Sequence, residues 1–282
     1  MNPTWWPYWI ICKLRNNKRN PVIVNLKKID VNKEFKFYLH SDDSGLSKHL
    51  RVFGFREPLN YKFHCGFVKN SDVMLDIGAN LGFFTILSSA AKKIFSIEPL
   101  DCALPILKKN VKEYGISKKV EFVNMAVGKK GKVYLEKNEQ LNISKIVDVK
   151  NKNTIPVKSE TLKFFVDKYK TNFIRMDLEG HEYEVLFKKI PSKVKKISLE
   201  FHTDILGRDK STDLMTYFEK EGFVVKYLIE DLPLRLYPFH GFLKLTGLIK
   251  LFTFVKTDLR PLDSLKYIFK GRALKYLLLE RK

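Results

Sequence analysis

From Ser71 onward the chain alternates between short apolar runs and stretches with helical spacing. Val73–Ile77, Ile94–Ile97, Val120–Val123, Phe173–Met176 and Ile197–Leu199 read as buried strands. Gly82–Ala91, Asp101–Tyr114 and a segment starting near Gly180 read as helices, with Asp101 as N-cap of the second and Gly115 just past its end. Strands alternating with helices predict an α/β fold, a doubly wound and mostly parallel sheet with helices on both faces. Upstream, residues 22–39 alternate weakly and put Phe35, Phe37 and Leu39 on one strand face. Residues 128–158, rich in Lys, Asn and Gly, interrupt the rhythm and predict a hairpin-like insertion, a flap over the site. Near the end, Phe242–Val255 is apolar, but Lys244 and Lys250 break any clean amphipathic face, and Ser264–Leu279 reads as a terminal helix. The pattern divides the chain into an arm (1–20), an N-terminal part packing on the core (21–70), the main domain (71–230) and a C-terminal extension (231–282).

Charge changes the picture of partners more than that of fold. Lys and Arg number 52 against 31 Asp and Glu, a net charge of +21 over 282 residues, which favours polyanions: nucleic acid, anionic headgroups or phosphorylated substrates. Cys12, Cys65 and Cys102 are scattered and form no CxxC pair, so a reducing compartment is the expectation and a cysteine zinc site is not. No Lys or Arg precedes the first apolar stretch, as a secretory signal would require, and no apolar run approaches the roughly 20 residues that cross a bilayer. Trp5, Trp6, Tyr8 and Trp9, followed by Lys13, Arg15, Lys18 and Arg19, suit a membrane–water boundary. A cytoplasmic protein with peripheral contact to an anionic membrane through residues 1–20 is the expectation; the alternative is an arm whose aromatics pack on the body.

The sharpest local signal is Asp76-Ile77-Gly78-Ala79-Asn80-Leu81-Gly82, after a buried strand and before a helix. A dinucleotide loop would need glycine where Asn80 stands, so that backbone can approach a pyrophosphate, and Asp76 would repel that phosphate. A cationic, phosphate-free cofactor such as S-adenosylmethionine meets neither objection. The next strand ends in Glu98, placed to accept both ribose hydroxyls. The third ends near Asn124, with Ala126 beyond it as a wall for adenine.

A second constellation follows Phe173–Met176. Asp177, Glu179 and Glu182 surround Gly180 and His181 at the carboxyl end of a strand, where ligands sit in open α/β sheets. Glu200 and His202 end the next strand, two residues apart and therefore on one face. Here the chain resembles the FkbM-type S-adenosylmethionine-dependent methyltransferases. The resemblance rests on Asp76 through Phe83-Phe84-Thr85, on Glu98-Pro99, on Asp177-Leu178-Glu179-Gly180-His181-Glu182 and on Glu200-Phe201-His202, and covers roughly residues 40–205. Arg175 stands where the family usually has Lys. The resemblance implies a class I, Rossmann-like methyltransferase that binds S-adenosylmethionine through Asp76, Gly78, Ala79, Asn80, Gly82, Phe84, Glu98, Asn124 and Ala126. It also implies methyl transfer to oxygen, often a hydroxyl of a sugar, glycan or polyketide-like acceptor.

A base improves the attacking hydroxyl. His202 and Asp177 are the first candidates, with Glu179 and Glu182 orienting acceptor hydroxyls or the methionine amino group; His181 reads as a solvent-facing or capping residue. Asp177, Glu179, Glu200 and His202 could gather a divalent cation, but transfer from a sulfonium needs none, so no metal is expected. The charge suggests a lipid-linked saccharide among the acceptors. Two other readings remain: an RNA methyltransferase, disfavoured by acidic residues where amino-methylating enzymes carry an aromatic tetrapeptide, and a non-catalytic cofactor-binding protein.

Overall fold

The computed structural model describes residues 20–26, 33–41, 43, 45–54, 56–136, 146–147, 150–233, 236, 239, 243, 245–251, 253–270 and 274–282. The tryptophan-rich arm lies outside them. In chain order the strands are β1 Val22–Asn25, β2 Glu34–Phe37, β3 Val73–Ile77, β4 Lys93–Ile97, β5 Val120–Val123, β6 Ala126–Val127, β7 Gly131–Glu136, β8 Ile146–Val147, β9 Thr154–Glu160, β10 Phe173–Met176, β11 Lys196–His202, β12 Phe223–Glu230, β13 Phe254–Leu259 and β14 Leu274–Arg281. The helices are α1 Leu46–Phe53, α2 Pro58–Phe67, α3 Phe83–Leu87, α4 Leu104–Tyr114, α5 Leu162–Tyr169, α6 Glu182–Leu186, α7 Thr203–Lys220 and α8 Pro261–Ile268.

Eight strands form the central sheet in the order β13-β12-β14-β11-β10-β3-β4-β5. β5, β4, β3, β10 and β11 run parallel, and β14 is antiparallel to both of its neighbours. The chain starts at β3, winds outward through β4 and β5, then returns to add β10 on the other side of β3. That reversal opens a crevice at the carboxyl ends of β3 and β10, the place where such sheets bind ligands. The runs that form β3, β4, β10 and β11 are buried on both faces, as a covered parallel sheet requires, while the edge strand β5 exposes Glu121. Met74 and Ile94 pack on one side with α2, α3 and α4, while Leu75 and Ile97 pack on the other with α5, α7 and α8. The weak alternation at 22–39 folds as the antiparallel pair β1–β2, and Phe35, Phe37 and Leu39 are all buried in the first of these cores.

Three elements differ from the sequence expectation. The helix expected from Gly82 to Ala91 spans only Phe83–Leu87 and ends in turns. The helix expected from Asp101 starts at Leu104, with Ala103 as its N-cap and Pro105 in its first turn; Asp101 is exposed in the turn before it, and Gly115 closes the other end in a left-handed conformation. The terminal helix expected over Ser264–Leu279 stops at Ile268, and residues 274–281 enter the sheet between β11 and β12. A leucine-rich run has high helix propensity. The slot between two strands overrides it, because Tyr276, Leu277, Leu278 and Leu279 bury side chains on both faces of the sheet at once.

A second sheet, ordered β6-β9-β7-β8, is built from residues 126–160, with β7 and β9 paired antiparallel. No helix among the described residues is long and apolar enough to cross a membrane.

α2 has Pro58 in its first turn, and its next two backbone N–H groups are served from far along the chain. Leu59 N and Asn60 N both donate to Asp231 Oδ2, at 2.9 and 3.0 Å. Asp231 is buried at the end of β12, so this cap ties α2 to the sheet. Asp231→Ala removes the acceptor of Leu59 N, Asn60 N and Leu232 N and is expected to cost about 2 kcal/mol, read as a shift of the urea midpoint without a change of slope; an unshifted midpoint would remove the cap from the account.

Candidate active site

The loop after β3 is held in shape by backbone needs that glycine and asparagine meet. Gly78, Asn80 and Gly82 all have positive φ, of 74, 50 and 88°. A Cβ on Gly78 would lie 2.3 Å from the carbonyl oxygen of Asp177, so glycine here lets the tips of β3 and β10 approach. Gly78 N and Ala79 N both donate to Ile97 O at 3.1 Å, which locks the loop to the end of β4. Asparagine tolerates the left-handed region better than most residues with a Cβ.

The locked loop aims one N–H at Glu98. Asn80 N donates to Glu98 Oε2 at 2.7 Å, and Leu100 N donates to Oε1 at 2.9 Å. Each carboxylate oxygen keeps a further lone pair, the number that two ribose hydroxyls need. Glu98 is 4% exposed, and burial pushes its carboxyl up to about 7 although these backbone N–H groups pull it down. Ribose hydroxyls donate to the ionised form, so cofactor affinity is expected to fall about tenfold between pH 8 and pH 6. A Glu98→Gln variant should lose this dependence, and an unchanged slope in the variant would assign it to another group.

Two clefts meet at the loop. The larger, about 640 Å³, runs from Glu98 along Leu100, Ala126, Leu135 and Ile146 to Leu178. It joins a polar corner to an apolar slot, as a nucleoside needs. Its far wall comes from β6, β7 and β8, so the 128–158 segment forms part of the site. The smaller, about 470 Å³, is lined by Arg56, Glu57, Tyr61, Phe83, Phe84 and Glu200. Gly78, Asn80, Asp177 and Glu179 belong to both.

Most cofactor candidates from the sequence therefore converge: Gly78, Asn80, Glu98 and Ala126 on the larger cleft, Ala79 and Phe84 on the smaller. Asp76, Gly82 and Asn124 line neither. Asp76 lies within β3, where alternation sends its side chain to a sheet face instead of out of the tip. Ser96, Asp76, Arg175 and Ser198 are register partners across four parallel strands, a buried polar row. Thr85 Oγ1 donates to Asp76 Oδ2 at 2.5 Å and Arg175 lies 3.5 Å from Oδ1. Burial pushes the Asp76 carboxyl up, against the pull of Arg175. At the other end of the row, His64 sits between Ser198 and Ser88 at 3.0 and 2.8 Å, and burial drives its ring down to about 3, so it is neutral. Gly82 packs toward Leu107. Asn124 donates to the carbonyls of Glu98 and Pro99, at 3.3 and 3.2 Å, and so fixes the turn that presents Glu98.

Arg175 links row and site. Its Nη1 donates to Gly78 O at 3.1 Å, its Nη2 to Asp177 Oδ2 at 3.1 Å, and its guanidinium stacks 4.0 Å from the centroid of Phe84. Arg175 in turn holds the Asp177 carboxyl low against the effect of burial. Above Asp177, Glu182 closes the turn that precedes α6, its Oε1 accepting from Leu178 N and Gly180 N at 3.1 and 3.2 Å. Gly180 is needed there, since a Cβ would meet Ile205 at 2.3 Å. The same Oε1 lies 3.1 Å from His202 Nδ1, and Glu179 Oε2 lies 3.3 Å from Nε2. Burial alone would lower the His202 ring, but hydrogen bonds to Glu179 and Glu182 and the charges of Glu200 and Asp177 push it up to about 12. Burial raises Glu179, and it raises Glu200 strongly, with the charges of Asp177 and Glu57 adding to the effect. The four catalytic candidates thus form one cluster. His181 lies at the helix N-cap position without a capping hydrogen bond, and lines the larger cleft. The sequence reading missed Arg56, Tyr61, Leu135 and Ile146, which carry no local signal.

A mostly parallel sheet in which β13 and β14 run antiparallel, with a locked glycine loop after β3, is the fold of a class I S-adenosylmethionine-dependent methyltransferase, and S-adenosylmethionine is its cofactor. The sequence profile described as the methyltransferase FkbM domain matches residues 76–225, more than half of the chain, and the chain belongs to the FkbM methyltransferase family. Among solved structures, the FkbM methyltransferase of Methylobacillus flagellatus aligns at 19% identity over 53% of this chain and 38% of its own, TM-score 0.36. The precorrin-6y C5,15-methyltransferase of Geobacter metallireducens aligns at 13% identity over 79% and 86%, TM-score 0.39. The tRNA m1G37 methyltransferase of M. jannaschii aligns at 15% over 94% and 56%, TM-score 0.43. No curated protein sequence matches the chain.

Proposed function

We propose that this enzyme methylates a hydroxyl group of a sugar, glycan or lipid-linked acceptor. The observation that carries the reading is the placement of Glu179, a carboxylate on the rim shared by both clefts, beside the buried acids Asp177, Glu182 and Glu200. Acidic walls accept hydrogen bonds from hydroxyls, and they repel the phosphates of a nucleic acid brought to the same point.

The cofactor fits the residues present. Glu98 has a lone pair left on each oxygen for the ribose, and Ala126, Leu135 and Ile146 keep water from the adenine. Arg56 in the smaller cleft offers a cation to the methionine carboxylate. When bound, S-adenosylmethionine supplies an electrophilic methyl group whose bond to sulfur breaks with the electron pair left on sulfur. Glu179 takes the proton of the acceptor hydroxyl as its oxygen bonds to carbon. His202 acts as a positioning residue: as a donor to Glu179 on one nitrogen and to Glu182 on the other, it keeps the base aimed at the rim. This assigns the base to Glu179 in place of His202 or Asp177, because Arg175 holds Asp177 and both His202 nitrogens face carboxylates.

The test is transfer of labelled methyl from S-adenosylmethionine to free sugars, glycans, lipid-linked saccharides and RNA. Label in a saccharide hydroxyl supports the reading; label confined to RNA replaces it with the second reading, which the charge of +21 favours. The same charge, with the aromatic and basic residues 1–20, supports docking on anionic membranes. Sedimentation with anionic vesicles should separate the full chain from one lacking residues 1–20, and equal binding would remove the anchor.

A further inference from the structure

Asp177, Glu182 and His202 come from three different elements: the tip of β10, the first residue of α6 and the last residue of β11. Each places a ligand-type atom within 4.8 Å of the other two. One oxygen of this group has an unmet need. Glu182 is fully buried; its Oε1 is occupied by Leu178 N, Gly180 N and His202 Nδ1, while Oε2 has no hydrogen-bond partner. Asp177 is better served: Oδ2 takes Arg175, and Glu200, whose carboxyl burial raises strongly, hydrogen-bonds to the same carboxylate. A buried carboxylate oxygen without a donor is costly. No neighbour donates to Glu182 Oε2. The site therefore holds a mixed nitrogen and oxygen donor set with a vacant buried oxygen within it, beside the clefts.

We propose that Asp177, Glu182 and His202 chelate a divalent transition-metal ion at the acceptor side of the active site. This rests on the methyltransferase reading for its purpose and on the three side chains for its existence. Imidazole with two carboxylates suits manganese, iron or zinc better than calcium, which prefers oxygen alone. Loading displaces one proton from the ring to solvent, so a metal ion and a proton exchange at His202. Three protein ligands leave coordination positions for acceptor oxygens. A hydroxyl held there becomes more acidic, which eases its loss of a proton to Glu179, and the ion fixes the oxygen in place for attack.

The test uses the full chain stripped with a chelator and titrated with Mn²⁺, by calorimetry and by the loss of free-ion electron spin resonance signal. S-adenosylmethionine is titrated into the same metal-free sample. Saturable binding of one Mn²⁺ per chain is expected, weakened more than about tenfold in both Asp177→Asn and His202→Gln. Circular dichroism and retained S-adenosylmethionine binding confirm that each variant is folded. Failure of the wild-type chain to bind Mn²⁺ saturably, or binding of equal strength in both folded variants, overturns the metal site. Retained cofactor binding in that event leaves the methyltransferase reading intact, whereas absence of cofactor binding alone would strike that reading and not the site.

Discussion

Glu98→Ala should weaken S-adenosylmethionine binding by about two orders of magnitude or more, since it removes two hydrogen bonds from ribose to a charged acceptor, each contributing about 1.5–3 kcal/mol. The same change frees Asn80 N and Leu100 N, at present 2.7 and 2.9 Å from the carboxylate, so the glycine loop loses its link to the turn after β4. Both effects act in one direction. Calorimetric titration measures the loss, and Asn124→Ala gives a useful contrast. Asn124 holds the Glu98–Pro99 turn through the backbone and touches neither cleft, so its loss should weaken binding by far less. Affinity within a few-fold of wild type in Glu98→Ala would mean that the nucleoside lies elsewhere.

Glu179→Gln should lower turnover by roughly 10²–10⁴-fold, the range for loss of a general base, while S-adenosylmethionine affinity stays near that of wild type. The separation follows from position. Glu179 stands on the rim shared by both clefts with a left-handed backbone (φ 50°) and a contact to His202, whereas the ribose is proposed to sit on Glu98. Glutamine keeps the size and can still meet the ring, but it cannot take a proton. His202→Ala should also lower turnover, by freeing Glu179 and Glu182 from their shared donor, and here the deficit should shrink if glutamine at 202 restores a partial hydrogen bond. Full activity in Glu179→Gln would return the proton to another acceptor, with Asp177 next in line.

These outcomes bear on how far a sequence can be read. β3, β4, β5, β10 and β11 were legible because a covered parallel sheet demands mostly apolar runs, and the runs of β4 and β10 lead directly into Glu98 and Asp177. β14 was not legible. Its leucines suit a helix, and nothing in 274–281 announces the slot between β11 and β12 that fixes it as a strand. Asp76 shows what a strand position decides: its place within β3, and not its acidity, turns it to Thr85 and Arg175. The cluster of Asp177, Glu179, Glu182 and His202 was legible as a set of residues. The division of labour inside it was not, because that depends on which carboxylate meets which ring nitrogen. The apolar wall of Leu135 and Ile146 and the cation of Arg56 come from segments distant in sequence, and only folding brings them to the glycine loop.

The most direct measurement is a crystal structure of the full chain with S-adenosylhomocysteine, the demethylated product. The account predicts both ribose hydroxyls on Glu98, the base against Ala126 and Ile146, and the sulfur facing the rim occupied by Glu179. A nucleoside bound outside that cleft, or a Glu98 side chain turned away from the sugar, would contradict it.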